Sequence, residues 1–285
     1  VKPLILVSRA DSASLTIRDA LLDAGGWEDA GSFHGLPVRR RGDAFLMAEV
    51  EPLHIECELV DVSLQKAGFA FDAMLVASRH RAESGKPALT VHPIGNYGEA
   101  EYGGMPRRLS PAAPVLMSRI LRRLQVEANG LKHAVTFEAT HHGPLTRTPT
   151  CFVEIGTDEA AWTDPGLGKR VARAMLACVE PQQGDEAPVL VGLGGSHYAP
   201  KFGDLVKQRK ANFGHLIPGY QIERGLAHDV VLEAIRATPG CQGYYLDPRS
   251  LTKPPDVALE TFGALELGWF TDAELAGGGD EAVRR

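Results

Sequence analysis

Short runs of aliphatic and β-branched residues recur along the chain, and between many of them apolar residues fall at helical spacing; this alternation constrains the fold more than any other feature. The runs are Leu4 to Val7, Ala44 to Val50, Ala73 to Ala77, Ala88 to His92, Ala134 to Ala139, Cys151 to Ile155, Val189 to Leu193 and His215 to Ile217. Each has the length and composition of a buried strand. Helical patterns cover Ser14 to Leu22, Ala112 to Ala128, Leu167 to Val179 and Ala227 to Ala237, the last closed by Pro239-Gly240. Asp11, Ser12 and Ser14 offer caps to the first helix, and Asp164-Pro165 opens the third. Strands feeding helices predict an α/β fold, with a mixed, mostly parallel sheet and helices on both faces. No Pro- or Ser-rich linker divides the 285 residues, so one α/β domain over 1–275 is expected. The ending AGGGDEAVRR lacks apolar periodicity, and a disordered tail is expected over 276–285.

Charge narrows the partners. Thirty Lys and Arg stand against 36 Asp and Glu, a formal net charge of -6, which disfavours an indiscriminate grip on nucleic acid and leaves RNA binding to a local patch. Two patches qualify. Arg119, Arg122 and Arg123 share one helical face, and KFGDLVKQRK supplies Lys201, Lys207, Arg209 and Lys210 directly after a glycine-rich loop. The second is preferred because it lies beside candidate chemistry, whereas Arg39 to Arg41 reads as a solvated loop. Cys57, Cys151, Cys178 and Cys241 form no CxxC pair, and no stretch approaches the roughly 20 apolar residues of a membrane helix. A soluble protein of the reducing cytoplasm is expected.

Four segments at the ends of strand-like runs hold the chemical groups: TVHPIGN (90–96), TFEATHHGP (136–144), GLGGSHYAP (192–200) and GHLIPGY (214–220). Open α/β sheets place ligands at such ends. If the strand continues through TFEATHHGP, Thr136, Glu138, Thr140 and His142 share one face, and Phe137, Ala139 and His141 the other. A carboxylate and an imidazole together serve acid/base chemistry or bind a metal through oxygen and nitrogen. A regular strand cannot bring His141 and His142 to one ion, although a turn at Gly143-Pro144 would. The alternative is that Glu138 caps a neighbouring element and both histidines are surface groups. GLGGSHYAP matches neither GxGxxG nor GxSxG, but Gly194 and Gly195 offer backbone N–H groups to an anion, with His197 and Tyr198 beside them. His92 with Asn96, and His215 with Tyr220, supply further polar groups that could meet substrate. His34, His54, His80, His133 and His228 have no partner at useful spacing and read as ordinary polar residues.

LVSRADSASLTIRDALL, TVHPIGN, FEATHHGP, GLGGSHYAP and HLIPGY, in this order, resemble the archaeal and plant type of D-aminoacyl-tRNA deacylase. The resemblance covers most of the chain before Ala276, and FEATHHGP with GGSHYAP carries it most specifically. It implies hydrolysis of the ester between a D-amino acid and tRNA, releasing both; separately, a cytoplasmic monomer with no membrane or DNA partner is expected. The resemblance further implies zinc, two ions per subunit, and a core similar to peptidyl-tRNA hydrolase and phosphorylase-type folds. Candidate ligands are His92, Glu138, His142 and His197. Candidate catalytic groups are Glu138, His141, His142 and His197, with Gly194 and Gly195 receiving an oxyanion. His92, Asn96, Tyr198, His215, Tyr220, Lys207, Arg209 and Lys210 are candidates for holding substrate. Competing readings are a zinc-dependent amidase or peptidase and a noncatalytic RNA-binding module.

Overall fold

The computed structural model describes residues 1–81 and 85–276. Its strands are β1 (Pro3–Ser8), β2 (Trp27–Phe33), β3 (Leu36–Arg41), β4 (Phe45–Val50), β5 (Ala73–His80), β6 (Ala88–His92), β7 (Ala134–Phe137), β8 (Thr150–Gly156), β9 (Val189–Gly194), β10 (Asn212–Ile217), β11 (Gly243–Asp247) and β12 (Gly268–Trp269). The helices are α1 (Ser12–Asp23), α2 (Val60–Lys66), α3 (Pro114–Glu127), α4 (Glu159–Trp162), α5 (Pro165–Leu176), α6 (Pro200–Lys207), α7 (Gly219–Arg224), α8 (His228–Arg236), α9 (Asp256–Ala264) and α10 (Asp272–Ala276).

Two sheets result, one ordered β2-β3-β4-β1-β5-β8-β6-β7 and the other β10-β9-β11-β12. The smaller is parallel throughout. In the larger, β1 runs parallel to β4 and β5, β5 to β8, and β6 to β7, while β2-β3-β4 and the β6–β8 pair are antiparallel. The mixed, mostly parallel α/β expectation therefore holds, distributed over two sheets. Ile5, Leu75, Val91 and Val153 pack on α1, α3 and α5 in a core that continues to Phe202, Phe213 and Tyr245 beside the smaller sheet. The opposite face, with Leu4, Leu6, Val76 and Phe152, packs on Val60 and Leu64 of α2. Burying each such side chain contributes roughly 1.5–3 kcal/mol.

The expected caps are in place. The Asp11 carboxylate accepts the Ser14 N–H at 2.9 Å, and that of Asp164 accepts the N–H groups of Gly166 and Leu167. Every apolar run named from sequence lies within or overlaps a strand, and all four helical patterns form helices. β2 and β3 escape that reading because they form an edge hairpin whose residues are charged and largely solvated. Arg39–Arg41 is accordingly not a loop. Arg39 pairs with Glu49 at 2.8 Å, and Arg41 donates to the Gly25 carbonyl. Ala276 closes α10, and the tail reading for 277–285 lies outside the described residues. Among the described residues no helix is long and apolar enough to cross a membrane.

Candidate active site

Strand register assembles the site. Glu154, mid-β8, pairs with Ser78 on β5 and Thr90 on β6, and Thr90 pairs with Thr136 on β7. Paired residues share a face and side chains alternate along a strand, so His80, His92 and Glu138, each two residues further along, rise on the same face around Glu154. The groups thus gather over a sheet face where β8, parallel to β5 and antiparallel to β6, runs between them; His80 ends β5, His92 ends β6 and Glu138 follows β7, at the strand ends expected from sequence, whereas Glu154 lies mid-strand.

Beyond Phe137 the strand stops. The Ala139 N–H bonds the His197 carbonyl at 2.8 Å, the Thr140 N–H bonds that of Leu216, and His142 takes a left-handed φ of 42°. The expected alternation therefore fails, and His141 and His142 turn inward together. Their ring centroids are 4.4 Å apart and lie 4.3 and 5.0 Å from that of His92. On the other side the Ala199 N–H bonds the Phe137 carbonyl at 3.0 Å, which holds the 197–199 segment along Glu138. Gly194 makes that approach possible: its φ is 102°, and a Cβ there would meet Ser250 Oγ at 2.5 Å.

Glu138 lies at the centre, fully buried. His197 Nε2 is 2.9 Å from Oε2, His80 Nδ1 is 3.1 Å from Oε1, and His141 Nε2 is 3.7 Å from Oε2. His80 Nδ1 also lies 3.5 Å from Glu154 Oε2, and its Nε2 is 2.7 Å from the Tyr198 hydroxyl. The imidazole nitrogens flank Glu138 without aligning an N–H on either oxygen, so both remain buried without a hydrogen bond. Burial opposes a charge on Glu138, but His197 and His80 outweigh it and hold the carboxyl well below its usual range. Burial likewise opposes protonation of His80, yet Glu138 and Glu154 push its pKa up to about 11. His142 is held down to about 4 by burial and by His92, and His141 is also well below its ordinary value, by burial and then by His92 and His142. At neutral pH the metal-free cluster holds an ion pair at Glu138–His80 beside neutral His141 and His142.

The Nδ1 atoms of His92, His141 and His142 face the carbonyls of Pro93, Ala139 and Gly143 at 3.1, 2.8 and 2.5 Å. A nitrogen facing a carbonyl carries the proton, so neutral His141 and His142 keep their Nε2 lone pairs free; burial opposes protonation of His92, but Glu154, 3.7 Å from its Nε2, raises its pKa. His92 Nε2 is buried with no partner. The side chains of His92, His141 and His142 bring ligand atoms within 4.8 Å of one another, as do those of His80, Glu138 and His197, and those of His92, Glu138 and Glu154. Three nitrogen and oxygen donors suit a catalytic zinc ion.

His80 and Glu154 are the residues that sequence reasoning overlooks. Glu154 is signalled by a carboxylate inside an apolar strand, which is costly without a partner; His80 has no local signal. Several expected roles move. The Gly195 N–H donates to Ser250 Oγ at 2.5 Å and is engaged in bracing the loop, so it does not present itself to an oxyanion. Asn96 donates to the carbonyls of Gly103 and Met105 and holds a loop. His215 is buried behind the site, its nitrogens beside Thr140 Oγ1 and the Ser110 carbonyl. Tyr220 is 37% exposed on α7, under Arg224. Lys207 pairs with Asp204, Lys201 with Asp272, and Lys210 lies near enough to lower the Asp272 pKa. Arg119 and Arg122 converge on Asp185, and Arg123 pairs with Glu127, so the three arginines do not present one uncompensated helical face.

An α/β frame carrying buried carboxylates and imidazoles, with His141 and His197 partly exposed, has the groups that hydrolysis by acid/base or metal-assisted chemistry requires. The sequence model of the D-aminoacyl-tRNA deacylase family matches residues 67–265, a span containing every member of the cluster. The chain is 35% identical over 245 residues to the D-aminoacyl-tRNA deacylase of Thermoplasma acidophilum, covering 86% of this chain and 89% of that one. It is 35% identical over 237 residues to the enzyme of the same name from Thermococcus kodakarensis, covering 82% and 86%. The Methanoculleus marisnigri D-aminoacyl-tRNA deacylase is 42% identical over 206 residues, 72% of this chain and 46% of that longer one. The crystal structure of a conserved protein of unknown function superposes with a TM-score of 0.86 at 28% identity over 94% of each chain. This chain belongs to the D-aminoacyl-tRNA deacylase family.

Proposed function

We propose that the chain hydrolyses the ester joining a D-amino acid to the 3′ end of tRNA, in the cytoplasm and as a monomer, and that the chemistry takes place at the Glu138 cluster. One observation supports the location above others: a fully buried carboxylate without an aligned hydrogen bond, ringed by imidazoles. Such a group costs stability and calls for a partner or a task. Side chains of His141 and His197 are 27% and 43% exposed, whereas Glu138, Glu154, His80 and His92 lie beneath them. Substrate and water therefore meet the cluster through those two rings. With Nε2 directed at Glu138, His197 presents its other nitrogen to take the proton of the attacking water, and the carboxylate stabilises the resulting imidazolium. The proton then passes to the ribose oxygen as the ester bond breaks, and D-amino acid and tRNA leave.

The Nε2 atoms of His141 and His142, with that of His92 once it gives up its proton, would hold a zinc ion; His80, Glu138 and His197 offer a second donor set after His80 gives up its proton, in place of the His197–Glu138 proton transfer. When bound, zinc lowers the pKa of water to roughly 7 and polarises the ester carbonyl. Basic residues at the end of α6 and just beyond it, Lys207 and Lys210, support contact with the tRNA. Incubating matched D- and L-aminoacyl-tRNA with the protein, chelated and zinc-restored, tests this reading. Hydrolysis of the D ester alone, restored by zinc, is expected; equal rates for both enantiomers would remove the stereospecific assignment, and rates indifferent to chelation the zinc assignment.

A further inference from the structure

The two basic clusters that sequence keeps apart meet in the fold. Arg209 follows α6, and its φ of 61° turns it against the loop before β9. Gly184, in that loop, has room for no side chain: a Cβ would stand 2.7 Å from Arg209 Cβ and 2.9 Å from Arg122 Nη1. The closure creates a concave cavity of about 340 Å³ lined by Arg122, Arg123, Arg209, Gln182, Gln183 and Glu180, among others. Glu180 is the one lining carboxylate among the described residues, leaving an excess of two positive charges on the wall. Asp185 is shared by Arg119 and Arg122, and Glu127 by Arg123 and Arg173, so neither acid neutralises the arginines one for one. Arg122 is only 8% exposed, and its Nη1 is buried without a hydrogen-bond partner. Crowded guanidiniums with unused donors suit a phosphate, which offers several oxygens to such forks.

We infer that the cavity formed by Arg122, Arg123 and Arg209 binds a backbone phosphate of the substrate tRNA, upstream of its aminoacylated end. The inference rests on the deacylase reading and deepens it. α6 begins at Pro200, three residues after His197, and its eight residues span about 12 Å before Arg209 follows. An ester held at His197 therefore places the next phosphates of the same strand within reach of the cavity. Its guanidiniums would fix the acceptor strand without reading a base.

The test compares two substrates, a D-aminoacyl-tRNA and the corresponding D-aminoacyl ester of adenosine, which has no upstream phosphate. Arg209→Gln and Arg123→Glu are assayed with wild type, and thermal melting reports on folding. For tRNA, each variant is expected to raise KM about tenfold with kcat retained, and to reduce the slope of log(kcat/KM) against log[salt] by about one per lost phosphate contact. For the adenosine ester, wild type and variants should agree. A folded Arg209→Gln enzyme with wild-type KM and salt slope on tRNA would overturn the phosphate site while leaving the deacylase reading intact. A wild-type protein inactive on both substrates would overturn the deacylase reading and this inference with it.

Discussion

His80 Nδ1 lies 3.1 Å from Glu138 Oε1, although 58 positions of sequence separate the two residues and β5, which ends at His80, is not a neighbour of β7, which Glu138 follows. The same nitrogen lies 3.5 Å from Glu154, so one imidazolium serves two buried carboxylates. Removing it takes a close counter-charge from both, leaving His197 beside Glu138 and His92 beside Glu154. In chelated protein, His80→Ala is expected to lower stability by about 3–5 kcal/mol. Adding Glu154→Gln should recover part of the loss, because only one charge then needs compensation. Chemical denaturation of the single and double variants checks this. A double variant less stable than His80→Ala would show that the ion pair does not govern the site's stability.

Metal uptake separates the ligand sets. His92→Ala removes a ring shared by two of the three groups, and His80→Asn changes only the third. Calorimetric zinc titration of chelated protein should show loss of one tight site in His92→Ala, while His80→Asn retains it. Equal tight binding by wild type and His92→Ala would rule out the histidine trio as the principal ligands.

His215 makes stability depend on pH. Burial depresses its folded pKa to about 4, against about 6.5 for an unperturbed imidazole. The unfolded chain therefore binds the extra proton between these values. His215 stabilises the fold fully above pH 6.5, and its contribution disappears as pH falls to 4, a change of about 3 kcal/mol. His215→Gln should flatten the stability profile in that window relative to wild type. Parallel profiles for the two proteins would contradict this assignment.

How far the fold and site were legible follows from the range of the signal each residue leaves. A run such as Val189 to Leu193 is a local pattern and coincides with β9. β3 carries Arg39, Arg40 and Arg41 because it lies near a solvated edge, so its periodicity is hidden. Glu138, His141, His142 and His197 stand out in short motifs, and the fold brings them together. His80 does not, because its importance arises only when β8 inserts between β5 and β6. Gly195 shows the opposite case: a glycine-rich loop looks ready for an anion, but the partner that occupies its N–H, Ser250, is 55 residues away. Tertiary pairing decides both, and no local spacing encodes it.

The central claim is that the buried Glu138 carboxylate, through the imidazoles around it, supports hydrolysis of D-aminoacyl-tRNA. Single-turnover hydrolysis of D-aminoacyl-tRNA by wild type and Glu138→Gln, matched for folding and zinc content, tests it most directly. Loss of the charge is expected to slow the chemical step by about 10²–10⁴-fold. A Glu138→Gln protein that hydrolyses the ester at the wild-type rate would contradict the account.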